Sequence, residues 1–147
     1  MILIIDIYYI KIFRIKNMST PFIKIDTSTA PKALGPYSQA VKAEPYVFVS
    51  GQLPLDMQTG KLVAPDIRLQ TKYVLDHLEA VLKASGGSLK DVVRCDVFLK
   101  DLNDFAAFNE EYATRFNQPI PPARQTIQVA RLPLDALVEI SCIAIIS

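Results

Sequence analysis

The amino-acid sequence predicts one α+β domain in which two helices pack on one face of a mixed β-sheet. Stretches with apolar residues at helical spacing alternate with short β-branched and aromatic runs, and this alternation is typical of that class. The connections are short, no internal repeat occurs, and 147 residues suffice for one buried core. The predicted order of elements is ββαβαββ.

Residues 1–17 (MILIIDIYYIKIFRIKN) differ from the rest of the chain. Asp6 and three basic residues interrupt the apolar stretch, which is too short and too charged to span a membrane. The segment also lacks the basic start and the cleavage site of a secretory signal. We expect residues 1–17 to be an extension, disordered or a start-site artefact, and residues 18–147 to form the domain. A mitochondrial presequence is the alternative, so the expected compartment is the cytoplasm or else the mitochondrion.

The strand before the first helix and that helix have the clearest signals in the first half of the chain. Tyr46–Ser50 is β-branched and aromatic, as is typical of a buried strand. Asp66 can cap the helix, and Gly86-Gly87 can end it in a left-handed conformation. Between these caps, apolar residues recur at steps of three and four and predict one buried stripe. The stripe contains Ile67, Thr71, Val74, Leu75, Leu78, Val81 and Leu82.

A second strand and helix follow. Val92–Leu99 predicts the strand, and Asp101 or Asn103 then caps the helix, which ends before Pro119. Four aromatic residues have near-helical spacing here, and such a stripe belongs to the core more often than to a cofactor site. They are Phe105, Phe108, Tyr112 and Phe116.

The two closing strand-like segments predict a hairpin. They are Arg124–Arg131 and Leu137–Ile146. In this hairpin Arg124 pairs near Ala144 and Glu139 near Val129, which places Arg124 and Glu139 roughly 16 Å apart along the ladder. The last segment is largely apolar on both faces, and two helices can cover only one of them. A partner subunit is therefore expected to bury the other face, and the chain is expected to form a homo-oligomer.

Charge and composition argue against several classes of function. The net charge is +1, of which residues 1–17 contribute +2, so the remaining residues carry −1. Such a near-neutral domain lacks the basic surface of a nucleic-acid-binding protein. Cys95 and Cys142 show neither disulfide-scaffold nor zinc spacing and are expected to be buried thiols. His77 is the only histidine, and we expect it to be solvated on the flank of the first helix.

Two charged residues are the main candidates for chemistry. Arg124 follows a proline-stiffened approach, and its guanidinium can bind a carboxylate with two parallel hydrogen bonds. A surface salt bridge is the alternative for this residue. Glu139 lies in an apolar run, where it is either exposed on an edge or buried with a raised pKa suited to acid–base work. Gly35–Ser38 and Ser50–Gln52 combine glycine with hydroxyl groups, and each is also ordinary turn sequence.

Five ordered motifs resemble the reactive-intermediate deaminase (Rid/YjgF) family, which is also called the endoribonuclease L-PSP family. The resemblance extends from about Ile23 to Ile146. The motifs are Gly35–Ala40 (GPYSQA), Val49–Pro54 (VSGQLP), Val97–Phe105 (VFLKDLNDF), Pro122–Arg124 (PAR) and the closing run from Val129 through Ile140.

The resemblance implies a chorismate-mutase-like fold, a homotrimeric barrel and active sites in the clefts between subunits. It implies hydrolysis of 2-iminobutanoate and 2-iminopropanoate to 2-oxo acids and ammonia, with neither cofactor nor metal. Arg124 would bind the substrate carboxylate and Glu139 would activate water. The residues implied to line the site with them are Tyr37, Ser50, Gly51 and Asn109.

Two residues depart from the family pattern, and two other functions remain as alternatives. Thr126 stands where many bacterial relatives have cysteine, and Gln125 stands where a small residue is usual, which puts the substrate range in doubt.

An RNA-cleaving translation inhibitor is one alternative function. A non-catalytic module that binds a small carboxylate is the other.

Overall fold

The computed structural model describes residues 22–146, which form one six-stranded mixed sheet with two helices. The strand order is β1-β2-β3-β6-β4-β5, and only the β4–β5 pair is parallel. The strands are β1 (Ile23–Ile25), β2 (Ala40–Ala43), β3 (Tyr46–Gln52), β4 (Val92–Leu99), β5 (Ala123–Gln128) and β6 (Val138–Ile145), and the helices are α1 (Ile67–Ala84) and α2 (Phe105–Ala113).

The predicted α+β class is confirmed, with one strand more than predicted before α1. The expected extension over residues 1–17 lies outside the described residues. Within residues 22–146, no helix is both long and apolar enough to cross a membrane.

Helix α1 forms where its caps and apolar spacing predict it. The carboxylate of Asp66 accepts a hydrogen bond from the backbone N–H of Leu69 at 2.8 Å, and Gly86 follows the helix with φ of 91°. The predicted stripe is buried against the sheet. Each fully buried aliphatic side chain of this kind contributes about 1.5–3 kcal/mol.

Helix α2 is preceded by a short 3₁₀ turn, Leu102–Asp104, which Asp101 caps by accepting a hydrogen bond from Asn103 N–H at 2.8 Å. Of the predicted aromatic stripe, Phe108, Tyr112 and Phe116 are buried core residues. Phe105 is 38% exposed at the helix start, so the core prediction is wrong for this one residue.

The predicted hairpin of the last two strands is wrong. Strand β4 lies between them, so that β5 pairs with β4 in parallel while β6 pairs antiparallel with β4 and β3. Arg124 is therefore level with Cys95 on β4, and Glu139 is level with Phe98. The connection through residues 129–137 carries the chain over the end of β4, where Val129 N–H donates to the carbonyl of Leu99 at 3.0 Å.

The sheet has one covered face and one open face. The covered face of β6 carries Val138, Ile140, Cys142 and Ala144 under the helices, and all four are buried. The open face presents large apolar side chains that are 41–46% exposed in the single chain. They are Tyr46, Phe48, Val93, Ile127 and Ile145. Several large apolar side chains exposed on one face of a sheet are typical of an interface.

The lone histidine of the chain is buried, so the prediction of a solvated side chain is wrong. His77 is 4% exposed, and its Nε2 lies 2.8 Å from the carbonyl oxygen of Leu55. Burial lowers the pKa of the imidazole. The two cysteines are free and buried, as predicted, and they face each other across β4 and β6. Burial raises the pKa of the Cys95 thiol to about 11, so this thiol stays protonated at neutral pH.

Candidate active site

The six residues singled out from the sequence fall into two groups in the structure. The Arg124 group contains Arg124 and Asn109, on β5 and α2. The Glu139 group contains Glu139 on β6, Ser50 and Gly51 at the end of β3, and Tyr37 in the loop before β2.

The Arg124 group lies on the helix-covered face, at the outer edge of the sheet. Pairing with the buried Cys95 on β4 directs Arg124 towards α2, since paired residues of neighbouring strands point to the same face. The guanidinium carbon of Arg124 lies 4.7 Å from the ring centre of Tyr112, 5.5 Å from that of Phe108 and 5.7 Å from that of Phe105. Asn109 is one residue from Phe108 on the same helix. Within residues 22–146 the guanidinium forms no salt bridge, so its donors are available to a ligand.

The Glu139 group is centred on a half-buried carboxyl on the other face of the sheet. Burial raises the pKa of Glu139, and no ion pair within the described chain lowers it again. Oε1 of Glu139 lies only 1.9 Å from the place where a Cβ on Gly51 would stand, and Cδ lies 2.8 Å from that place. Only glycine therefore admits the carboxyl against the β3 backbone.

A bulge in β3 creates this close approach. The register with β6 shifts between Val49 and Gln52, so Ser50 and Gly51 form the irregular part of the strand. Ser50 is held there by two bonds to the preceding loop. Its N–H donates to the carbonyl of Gln39 at 3.0 Å, and its Oγ donates to the carbonyl of Ser38 at 2.7 Å.

The loop that carries Tyr37 is anchored by Gln39, a residue that sequence reasoning did not assign to the site. Its buried side-chain amide donates to the carbonyl of Pro31 at 2.7 Å and accepts from Thr27 N–H at 2.6 Å. Tyr37 OH accepts a hydrogen bond from Leu34 N–H at 3.1 Å. Tyr37 and Gly51 line one small cavity with the base of this loop. The sequence feature that could have pointed to Gln39 is an amide side chain directly before an apolar strand.

One chain does not bring the two groups together. Arg124 and Glu139 lie on opposite faces of the sheet, two strands apart, and they are offset by three residues along the strand direction. Strand geometry then places their Cα atoms roughly 14 Å apart. A small acid bound by Arg124 cannot reach the carboxyl of Glu139 on the same chain, because the sheet lies between them.

The structure is that of a small α+β protein with a guanidinium that has the chemistry to bind a carboxylate on one face of its sheet and a half-buried carboxyl group on the other face. A family model described as Endoribonuclease L-PSP matches residues 27–146. A RutC family protein of Pyrococcus horikoshii is 51% identical over 120 residues, which are 82% of this chain and 94% of that protein. Reactive Intermediate Deaminase A, chloroplastic, of Arabidopsis thaliana is 45% identical over 147 residues, covering 92% of this chain and 78% of that protein.

Solved structures agree with these relatives. Escherichia coli TdcF with bound serine superposes with a TM-score of 0.81 at 43% identity, covering 85% of this chain and 99% of that chain. RidA from an Antarctic Psychrobacter superposes with a TM-score of 0.81 at 44% identity, covering 84% and 99%. The chain belongs to the endoribonuclease L-PSP family, whose members are also named RutC and Rid proteins. The family resemblance and the YjgF-type fold class predicted from the sequence are both confirmed.

Proposed function

We propose that this protein is an imine deaminase that hydrolyses 2-iminobutanoate and 2-iminopropanoate to 2-oxo acids and ammonia. The observation that carries the proposal is a pair of complementary groups: a guanidinium with free donors, and a half-buried carboxyl with a raised pKa against Gly51. Membership of the family, a relative named Reactive Intermediate Deaminase A and a neighbour solved with serine bound support a small amino-acid-derived substrate.

Arg124 binds the substrate carboxylate. Its planar fork of N–H donors matches a carboxylate with two parallel bonds, and charge-assisted bonds of this kind contribute about 1.5–3 kcal/mol each. Three rings of α2 lie within 6 Å of the guanidinium carbon, and a ring face does not occupy N–H donors as a carboxylate partner would. Fixing the carboxylate fixes the neighbouring C2 atom relative to the rest of the site.

Glu139 activates the attacking water. As a carboxylate it accepts a proton from water while the water oxygen bonds to C2 of the iminium, whose C=N electron pair moves to nitrogen. The protonated Glu139 then returns that proton to the amine nitrogen. The C–N bond breaks as the hydroxyl oxygen forms the C=O double bond, ammonia leaves, and the remaining hydroxyl proton passes to the Glu139 carboxylate and from there to solvent. A raised pKa suits this role because the group must both accept and donate a proton.

The two groups meet between neighbouring chains in this proposal. The open apolar face of the sheet is buried by partner subunits in a homotrimer, and the β5 edge of one chain then faces the Glu139 group of the next. The exposed apolar side chains of that face support the assembly. Tyr37, Ser50 and Asn109 complete the polar lining.

A coupled assay tests the activity. Threonine dehydratase with threonine generates the imine, and release of 2-oxobutanoate is timed with and without this protein. We expect acceleration by the wild type and a loss of kcat/KM on the order of 10²- to 10³-fold in Arg124→Ala. Arg131→Ala is the matched control, because this exposed arginine pairs with Asp135 and with no other acidic residue of the described range 22–146.

Two other outcomes would contradict the proposal. The first is no acceleration by the wild type together with RNA cleavage that survives nuclease-free repurification, which favours the RNA-cleaving alternative. The second is 2-oxo acid binding without any turnover, which favours the non-catalytic carboxylate-binding module.

A further inference from the structure

Arg124 is held by aromatic faces rather than by an acidic partner. Three rings lie within 6 Å of its guanidinium carbon, and all three come from α2. We name Phe105, Phe108 and Tyr112 the aromatic wall. Every other arginine of residues 22–146 forms a salt bridge with an aspartate or a glutamate. Arg124 is therefore held in a way that differs from the rest of the described chain.

The aromatic wall is a rigid surface. Its residues stand at steps of three and four on α2, so their rings lie on one helix face. Phe108 and Tyr112 are buried and pack on each other with ring centres 5.5 Å apart, and Tyr112 stacks on Phe116 at 4.5 Å. Phe105 is the partly exposed outer end of the wall. Two of the three rings that lie against Arg124 are thus anchored in the protein core.

Ring faces and carboxylates hold a guanidinium with opposite consequences. A carboxylate partner would occupy the N–H donors and compensate the positive charge. A ring face attracts the charge through the flat side of the guanidinium and leaves the N–H edge unoccupied. We propose that Phe105, Phe108 and Tyr112 are positioning residues that orient Arg124 for the substrate carboxylate while keeping its donors free. This proposal rests on the deaminase function proposed above.

Phe105 provides the cleanest test, because its partial exposure lets it be replaced without opening the core. We expect Phe105→Leu to lower kcat/KM about three- to tenfold, mainly through a higher KM, since carboxylate binding is common to the ground state and the transition state. Phe105→Tyr keeps an aromatic ring at this position, so it should keep the activity that Phe105→Leu loses. Phe22→Leu is the matched control, because this ring is exposed and no cation of residues 22–146 lies over it.

A double-mutant cycle separates positioning from a structural effect. In an Arg124→Ala background, Phe105→Leu should not lower kcat/KM any further, because there is no guanidinium left to orient. If Phe105→Leu lowers kcat/KM by the same factor in both backgrounds, the proposal is overturned. A Phe105→Leu variant with wild-type KM and kcat would also overturn it.

NMR spectroscopy tests the position of Arg124 independently of any activity assay. In the wild-type protein, ring currents should move the Arg124 side-chain Nε–H and Cδ–H NMR signals upfield of those of the other arginines, and Phe105→Leu should reduce that displacement. Arg124→Lys assigns the signals. Arg124 signals at ordinary arginine positions would overturn the aromatic wall, whereas displaced signals in a protein that does not hydrolyse imines would overturn only the deaminase proposal.

Discussion

The Arg124 group and the Glu139 group are built in different ways on the two faces of one sheet. Arg124 lies on the edge strand β5, and aromatic rings of α2 hold it. Glu139 lies on the inner strand β6, and a glycine bulge on β3 makes room for it. A salt bridge between the two would occupy the guanidinium donors and lower the carboxyl pKa. Separation by the sheet leaves the donors free and the pKa raised, and the proposed activity requires both of these properties.

The largest expected effect comes from mixing two inactive variants. Arg124→Ala and Glu139→Gln should each lose most of their activity, because one lacks the carboxylate binder and the other lacks the base. In a trimer that contains both variants, about a third of wild-type activity should return, because one of the three clefts between neighbouring chains then combines an intact arginine with an intact glutamate.

This experiment decides whether the two groups work across chains. Differently tagged variants are co-expressed, the doubly tagged oligomer is purified, and kcat is measured per chain. A mixture of separately folded, unexchanged variants is the control. A doubly tagged oligomer as inactive as either parent would place both groups of a working site on one chain and contradict the shared cleft.

Much of the fold follows from local sequence signals. The caps and apolar spacing of α1 and the bounds of β4 agree with the structure, because helix capping and side-chain alternation act over a few residues. The order of the last strands does not follow from such signals. A hairpin between neighbouring strands is the commonest arrangement, and the insertion of β4 between β5 and β6 depends on packing contacts that are distant in the sequence.

The candidate site was predicted residue by residue but not in its arrangement. The motifs identified Arg124 and Glu139, and their separation within one chain was close to the estimate even though the assumed pairing was wrong. The roles of Gln39 and of the aromatic wall were missed. Their sequence signals, a buried amide and an aromatic stripe, are those of ordinary core residues, and only the contacts in space show what they hold.

Gly51→Ala should inactivate the Glu139 group while leaving the Arg124 group intact. The new methyl group would lie 1.9 Å from the present position of Oε1, so the carboxyl must move away. We expect kcat to fall by about 10²-fold, within the range for loss of a positioned base, with little change in KM. Gly60→Ala is the control, because a Cβ there meets no atom within 4 Å and only the strain of its φ of 68° is added. A wild-type kcat in Gly51→Ala would contradict the role of Glu139.

The pH dependence should follow the raised pKa of Glu139. The carboxylate form is the base, so kcat/KM should rise as pH rises through that pKa, and the rise should be absent in Glu139→Gln. The stability of the folded protein should change with pH in the opposite direction to kcat/KM. The folded protein binds this proton more tightly than the unfolded chain does, so wild type and Glu139→Gln should differ least below the ordinary glutamate pKa of about 4.3.

Above that pH the wild type should lose stability relative to Glu139→Gln, until the pH passes the raised pKa. Melting temperatures of both proteins across this range measure the difference, and Glu44→Gln, an exposed surface glutamate, is the control. A stability difference that shrinks as pH rises would show that the pKa of Glu139 is lowered in the folded protein, which would contradict the raised pKa on which this prediction rests.

The smallest expected effect belongs to Tyr37→Phe. This change removes an exposed hydroxyl that accepts one hydrogen bond from Leu34 N–H at 3.1 Å, while Gln39 still anchors the loop. One such bond contributes about 0.5–1.5 kcal/mol, so kcat/KM should fall only about two- to tenfold. Tyr73→Phe, which removes a hydroxyl from α1, is the control. A loss as large as that of Glu139→Gln would make the Tyr37 hydroxyl part of the proton transfer, and the Glu139 group would then hold two acid–base residues instead of one.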